Sequence, residues 1–186
     1  MNEGVKINGK TSNKLIVFDL DDTLVMSDAK IKVIDAKSKK IIKQLTPSEF
    51  NNYLKASSEV FSFDDFANYQ ILLNAQMTKH MDKLKASYKK GIHVSVITAR
   101  SDEKMVRKFF NSYGIKIHKN LLFAVNDKKY DWDSDEIGAV KKEALESLIL
   151  NFGYVKFLVI DDNKKILKKV KELETEYDIT VNTVHV

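Results

Sequence analysis

The chain reads as an α/β protein built on a mostly parallel sheet with helices over both faces, and three observations predict this. Two apolar runs, Leu15–Phe18 and Phe157–Ile160, stop abruptly at acids, as buried strands do when they carry polar groups to the edge of an open sheet. A third run, Val94–Ile97, stops at Thr98 and Arg100. Stretches of helical periodicity separate these runs, and strands alternating with helices imply a parallel sheet covered on both sides. The 186 residues suit a single domain, 1–186, long enough to bury a sizeable core.

The first strand is expected over about Lys14–Leu20. Two β-prone runs, Lys30–Asp35 and Lys40–Leu45, flank a Lys/Ser turn and predict a hairpin. Thr46-Pro47-Ser48-Glu49 is a capping box with Pro at the first helical position, so a short helix starts there with Phe50 and Tyr53 on its apolar side. Phe61, Phe63 and Phe66 form an aromatic cluster suited to packing a core or cap, or to stacking a base. One helix is expected from Ile71 to Lys89, stopped at Gly91. After the Val94 strand come a helix from Asp102 to Tyr113, a strand over Leu121–Val125, a helix from Ile137 to Phe152, a strand over Lys156–Asp161, a helix to about Tyr177 and a strand over Ile179–Val186. Roughly 70 residues separate the first acid-tipped strand from the Val94 strand, too many for one turn and few for an independent domain. Residues 25–90 are therefore read as a flap or small cap insertion.

Four segments place polar groups where a phosphoaspartate chemistry needs them. Asp19 is the candidate nucleophile. Asp21 shares its strand face by the period of two and is the candidate general acid and base. Thr23 is suited to bonding a phosphoryl group or holding the loop. Thr98 can donate to a phosphoryl oxygen, and Arg100 can grip one in its planar fork. Across Ile137–Phe152 the apolar residues fall on one face at about 100° per residue, with Lys141 near the centre of that face and Lys142 to one side. A lysine in an apolar stripe is costly unless its ammonium reaches an anion, which singles out Lys141, with Lys142 as the fallback. Asp19, the carbonyl of Asp21, and Asp161 or Asp162 would suffice for Mg²⁺, which keeps several waters. Each piece alone has a plainer reading: an acidic turn, a helix N-cap for which Ser101 and Asp102 compete, a snorkelling lysine, or acids capping the helix that begins near Asn163.

Taken together, Asp19, Asp21 and Thr23, then Thr98, then Lys141, then Asp161 and Asp162 resemble, in order, the four motifs of the haloacid dehalogenase superfamily of phosphotransferases. The resemblance implies a Rossmann-like, three-layer core with Mg²⁺ as cofactor, Asp19 as nucleophile and Asp21 as general acid/base. Leu45–Tyr53, Phe61–Phe66 and Thr98–Asp102 are similar to small phosphatase-like proteins of tailed bacteriophages. The Thr98-Ala99-Arg100 and Lys141-Lys142 segments are also similar to phosphatase domains of nucleic-acid repair. This likeness implies a phosphorylated nucleotide or a nucleic-acid end as substrate, without choosing between them.

Gly4-Val5-Lys6-Ile7-Asn8-Gly9-Lys10-Thr11 satisfies the P-loop pattern, but a strand is expected near Lys14 where that motif would open a helix, so the match is set aside. No run reaches the roughly 18 to 20 apolar residues of a membrane span, and Met1–Asn13 lacks the apolar stretch of a secretory signal. A cytoplasmic location is expected, in the host if the chain is phage-encoded. With no cysteine, disulfides and thiolate metal sites are excluded, and His80, His93, His118 and His185 lack zinc-ligand spacing. The net charge of +5 favours anionic partners. Lys164–Lys171 shares its helix with acids and reads as a solvated face, whereas Lys37–Lys43 has none and is the better candidate for a substrate-backbone contact. Trp132 either contacts substrate or covers the core.

Overall fold

In this computed structural model, which describes residues 5–7, 9–126 and 132–186, the described chain opens with an antiparallel hairpin, β1 (Val5–Ile7) and β2 (Lys10–Ser12). Gly9, in the turn, has φ +81°, a left-handed backbone that glycine adopts without a Cβ penalty. The P-loop-like pattern thus falls on paired strands, while its Gly4 and Asn8 lie outside the described residues.

β3 (Lys14–Phe18) is the middle strand of a five-stranded parallel sheet. The chain leaves β3 through an Asp21–Asp22 turn, in which Asp22 takes φ +57°, and enters β4 (Val25–Met26). It then builds a separate antiparallel sheet from β5 (Ile31–Asp35), β6 (Ile41–Leu45) and β7 (Glu59–Ser62), ordered β6-β5-β7. The expected hairpin is β5–β6. Helix α1 (Pro47–Phe50) follows β6, and its capping box is complete: the Thr46 side chain accepts from the Glu49 N–H while Glu49 accepts from the Thr46 N–H. A 3-10 turn, Asp64–Ala67, leads into α2 (Tyr69–Leu73).

The single helix expected over Ile71–Lys89 is broken. Between α2 and α3 (Lys79–Lys89) lies β8 (Gln76–Met77), which pairs antiparallel with β4. Thr78 restarts the helix by accepting the His80 N–H, and its hydroxyl donates to the Thr23 carbonyl. Local periodicity runs through this break because the pairing that causes it comes from 52 residues away, Val25 with Met77. Met81 and Leu84 of α3 bury themselves in the main core.

The remaining elements alternate as expected: β9 (Val94–Thr98), α4 (Glu103–Ser112, capped by Asp102), β10 (Leu122–Ala124), α5 (Ser134–Phe152), β11 (Lys156–Asp161), α6 (Lys164–Lys171), α7 (Leu173–Tyr177) and β12 (Thr180–His185). The helix expected to run to Tyr177 is two helices meeting at Glu172. The central sheet is ordered β10-β9-β3-β11-β12, parallel throughout. From β3 the chain steps outward to β9 and β10, then returns to the other side of β3 to lay down β11 and β12. Right-handed crossovers place α3 and α4 on one face and α5 and α6 on the other. The fold is therefore α/β with a parallel sheet between helices, an arrangement compatible with a Rossmann-like fold.

Two apolar clusters fill the molecule. The larger surrounds the central sheet and includes Val17, Phe18, Val96, Phe109, Leu148 and Ile160. The smaller joins Ile31, Val33, Leu45, Phe50 and Phe66 of the insert to Ile137 of α5. Phe50, Phe61, Phe63 and Phe66 meet edge to face at 5.0 to 6.3 Å, and half-buried Trp132 packs against this cluster. The aromatic group and Trp132 therefore cover a core, and Phe63 and Phe66 also face a cleft.

Candidate active site

The direction of strand addition reverses between β3 and β11, so the carboxyl ends of these neighbours flank a topological switch point, where ligands of open α/β sheets bind. Asp19 directly follows β3, and Asp161 ends β11. Both lie on the sheet face covered by α5 and α6, with Val17, Ile97 and Val159 around the same small void as Lys141. Helix α5 starts where Asp133 accepts the Asp135 and Glu136 N–H groups and Glu136 returns a bond to the Asp133 N–H. Two turns on, Lys141 Nζ reaches Asp19 Oδ1 at 2.6 Å and Asp161 Oδ2 at 2.8 Å. All three side chains are buried. Lys142 is drawn the other way, to Glu172 at 3.0 Å and Glu176 at 2.7 Å. Its expected phosphate contact is corrected: the 100° step that puts Lys141 on the sheet-facing side turns Lys142 toward the polar flank of α6 and α7.

Arg100 also differs from expectation. It is 1% exposed, and its fork closes on Asp21, with Nε donating to Oδ2 at 2.9 Å and Nη2 to Oδ1 at 2.7 Å. Its Nη1 donates to the Phe66 carbonyl of the insert at 2.8 Å, and the guanidinium lies 5.2 Å from the centre of the Phe66 ring. The grip foreseen for a phosphoryl oxygen is spent on a carboxylate, because Asp21 is the anion within reach of β9's end. Thr98 is fully buried, and its Oγ1 accepts the Arg100 N–H. The Thr23 hydroxyl is buried without a hydrogen-bond partner, an orphan of the kind that calls for a ligand, water or ion.

A cleft opens over Asp19. Its floor is Asp19, Asp21, Lys141 and Asp162, and its roof is apolar, with Ile31, Pro47, Phe50, Phe63 and Phe66 of the insert. About 60 Å³ of it admits the centre of a water molecule, space for several waters. At its mouth Asn163 Nδ2 donates to Asn51 Oδ1 at 2.8 Å and to Ser134 Oγ at 2.9 Å, while Asn51 Nδ2 donates to Asp162 Oδ2 at 3.3 Å. Asn51 and Ser134 went unnoticed in the sequence. Their signal was positional, one residue after a capped helix and one residue into another.

Carboxylates outnumber cations at the floor. Burial pushes the Asp19 carboxyl well above the usual range, Lys141 opposes this, and Asp161 and Asp162 add to it. Burial likewise pushes Asp162 up to about 7, reinforced by Asp161 and Asp22 and opposed by Lys141. Burial works against the Lys141 ammonium, but Asp161 and Asp19 outweigh it and hold the proton more tightly than usual. Among the described residues no three His, Cys, Asp or Glu side chains form a ready metal cage. Mg²⁺ asks less, one or two carboxylates with waters completing the octahedron. The donor set fits that demand. Asp161 is occupied by Lys141 and the Asn163 N–H, which leaves Asp19 and Asp162 as the floor carboxylates that would hold such an ion, and its charge would offset the carboxylate excess.

Compared with known proteins, the chain matches no protein-family model, no curated protein sequence and no solved structure. Among the described residues no helix is long and apolar enough to cross a membrane.

Proposed function

We propose that this chain is a Mg²⁺-dependent phosphomonoesterase of the haloacid dehalogenase type, working through an aspartyl phosphate on Asp19, with a nucleotide or a nucleic-acid end as substrate. The observation that carries the reading is the buried Lys141 ammonium joining Asp19 to Asp161 at the ends of adjacent parallel strands. A nucleophilic carboxylate needs such a cation to bear the approach of a phosphate dianion. Bound at Asp19, Asp162 and the Asp21 carbonyl, Mg²⁺ would supply the remaining positive charge on the phosphoryl oxygens.

Lys141 engages Asp19 Oδ1, whose second lone pair would remain for Mg²⁺, and leaves Oδ2 to attack phosphorus. As the bond from phosphorus to the leaving oxygen breaks, Asp21, the general acid of this reading, transfers a proton to that oxygen, and the alcohol departs. Water then attacks the phosphorus, passes a proton back to Asp21, and the bond to Asp19 breaks to release inorganic phosphate. Each Asp21 oxygen has a second lone pair beyond the one taken by Arg100, and proton transfer uses these. The Thr98 hydroxyl, accepting from the Arg100 N–H, has its own proton free for a phosphoryl oxygen. The insert, β5 to β7 with α1, acts as the flap, and its apolar roof favours a leaving group with a flat apolar part, such as a nucleobase, over a bare sugar.

The test is phosphate release from an aryl phosphate. Activity is expected with Mg²⁺, none with EDTA, and Asp19→Asn should lose at least 10²- to 10⁴-fold. Full activity in that variant would remove the covalent route.

A further inference from the structure

The cleft does not end at its mouth. Asn51, Asp162 and Asn163 also line a second cavity of about 330 Å³, together with Ser48, Asn52, Lys164, Lys165 and His185. Lys164 in turn borders a third, open groove of about 520 Å³ between α6 and the edge strand β12, where Leu167, Lys168, Lys171 and Thr183 complete the walls with Glu172. The three spaces border one another in series away from Asp19, the first two through Asn51, Asp162 and Asn163 and the last two through Lys164, and together they form a track.

Lysines outnumber acids along the two outer spaces of this track, four (Lys164, Lys165, Lys168, Lys171) to two (Asp162, Glu172), and two of the four are unpaired among the described residues. Glu172, the acid of the outer groove, is already paired with Lys142. Lys171 is held by Glu174 and the Val181 carbonyl. Lys165 lies 3.6 Å from Asp135, both largely exposed, a pair of little strength. Lys164 and Lys168 have no ion-pair partner among the described residues and are exposed. They stand four residues apart on one face of α6, about 6 Å along the helix axis, comparable to one extended nucleotide step. His185 ends β12 beside Asp161, and the amides of Asn51 and Asn52 with the Ser48 hydroxyl add the neutral donors that phosphate contacts use. Lys37, Lys39, Lys40 and Lys43, favoured from sequence, line none of these spaces.

We propose that this track binds the phosphodiester backbone of a single-stranded nucleic acid whose terminal phosphate lies at Asp19. The inference rests on the phosphomonoesterase reading and selects the strand end over the free nucleotide within it. A mononucleotide would be spent within the roofed cleft and leave both outer spaces unused. An acidic peptide would meet the lysines too, but without the regular spacing of charge that the i and i+4 pair matches.

The experiment measures fluorescence anisotropy of 3′- and 5′-phosphorylated single-stranded oligonucleotides of increasing length, and of a polyglutamate peptide, on Asp19→Asn protein and on wild-type protein in EDTA. Binding should tighten with length over the first few nucleotides and exceed that of polyglutamate. A Lys164→Glu, Lys168→Glu double variant should lower the salt slope by about 1.4, since each phosphate contact on a single strand contributes about 0.7, while hydrolysing an aryl phosphate at the wild-type rate. Length-independent binding, an unchanged salt slope in the double variant, or equal affinity for polyglutamate would overturn the track. Absence of aryl-phosphate hydrolysis in wild type with Mg²⁺ would instead overturn the phosphatase reading, and the anisotropy result would still stand or fall separately.

Discussion

At the scale of single residues, Asp162 is where the charge excess becomes measurable. Its carboxyl is pushed up to about 7 from an ordinary 3.8 by burial, Asp161 and Asp22, so the folded protein binds a proton there that the unfolded chain has lost. A group raised in this way contributes stability that is full below pH 3.8 and is lost as pH climbs through about 7, an effect on the order of a few kcal/mol. Under the proposed function a divalent cation at the same oxygens would replace the proton. Mg²⁺ should therefore raise the melting temperature more at pH 8 than at pH 6, and the difference should vanish in Asp162→Asn. Equal shifts at both pH values in the wild type would remove Asp162 from the ligand set. Lys141 illustrates the complementary case. Its replacement by Met would leave Asp19 and Asp161 facing each other without a cation, and breaking a buried pair of this kind costs about 3 to 5 kcal/mol, to be read from urea unfolding.

At the scale of elements, helix α1 matters more than its four residues suggest, because Asn51 follows it directly and bridges Asp162 and Asn163. Thr46→Ala removes half of the capping box at a cost of about 1 kcal/mol, which lowers the melting temperature by about 2 to 4 °C in a chain of this length. The larger effect is expected on substrate binding: KM should rise severalfold with kcat little changed, in steady-state assays on a nucleotide. The capping box, the strand ends and the Lys141 stripe were legible in the sequence because each depends on residues a few positions apart. The break between α2 and α3, the closure of Arg100 on Asp21 and the Asn51–Ser134–Asn163 cluster were not. Their partners are 52, 79, 83 and 112 residues distant, and no local period encodes such meetings. The lysines of α6 fit the solvated face read from sequence in that Lys164 and Lys168 are exposed and Lys171 pairs with Glu174 three residues on, whereas Glu172 is taken by Lys142 from 30 residues away.

At the scale of the whole molecule, two cores of unequal size imply two levels of local stability. Strand β9 is buried along its full length, whereas β6 exposes Ile41 and Ile42 at 53% and 55% on an open edge, with lysines on either side of the kind that discourage edge pairing. Amide hydrogens of β3, β9 and β11 should exchange only through global unfolding, and those of β5 to β7 earlier, by local opening of the insert. Mass-spectrometric exchange on peptides covering 31–62 and 94–98 would distinguish these, and equal protection would mean that the two cores melt as one. Between them stands Arg100, bonded to Asp21 through two nitrogens and to the insert's Phe66 carbonyl through the third. An opening motion that lifts the Asp64–Ala67 turn away from β9 has to part that third bond, so under the proposed function the gate and the proton donor would be fastened by the same bolt: whatever admits a new substrate would also loosen the group that must finish the previous one.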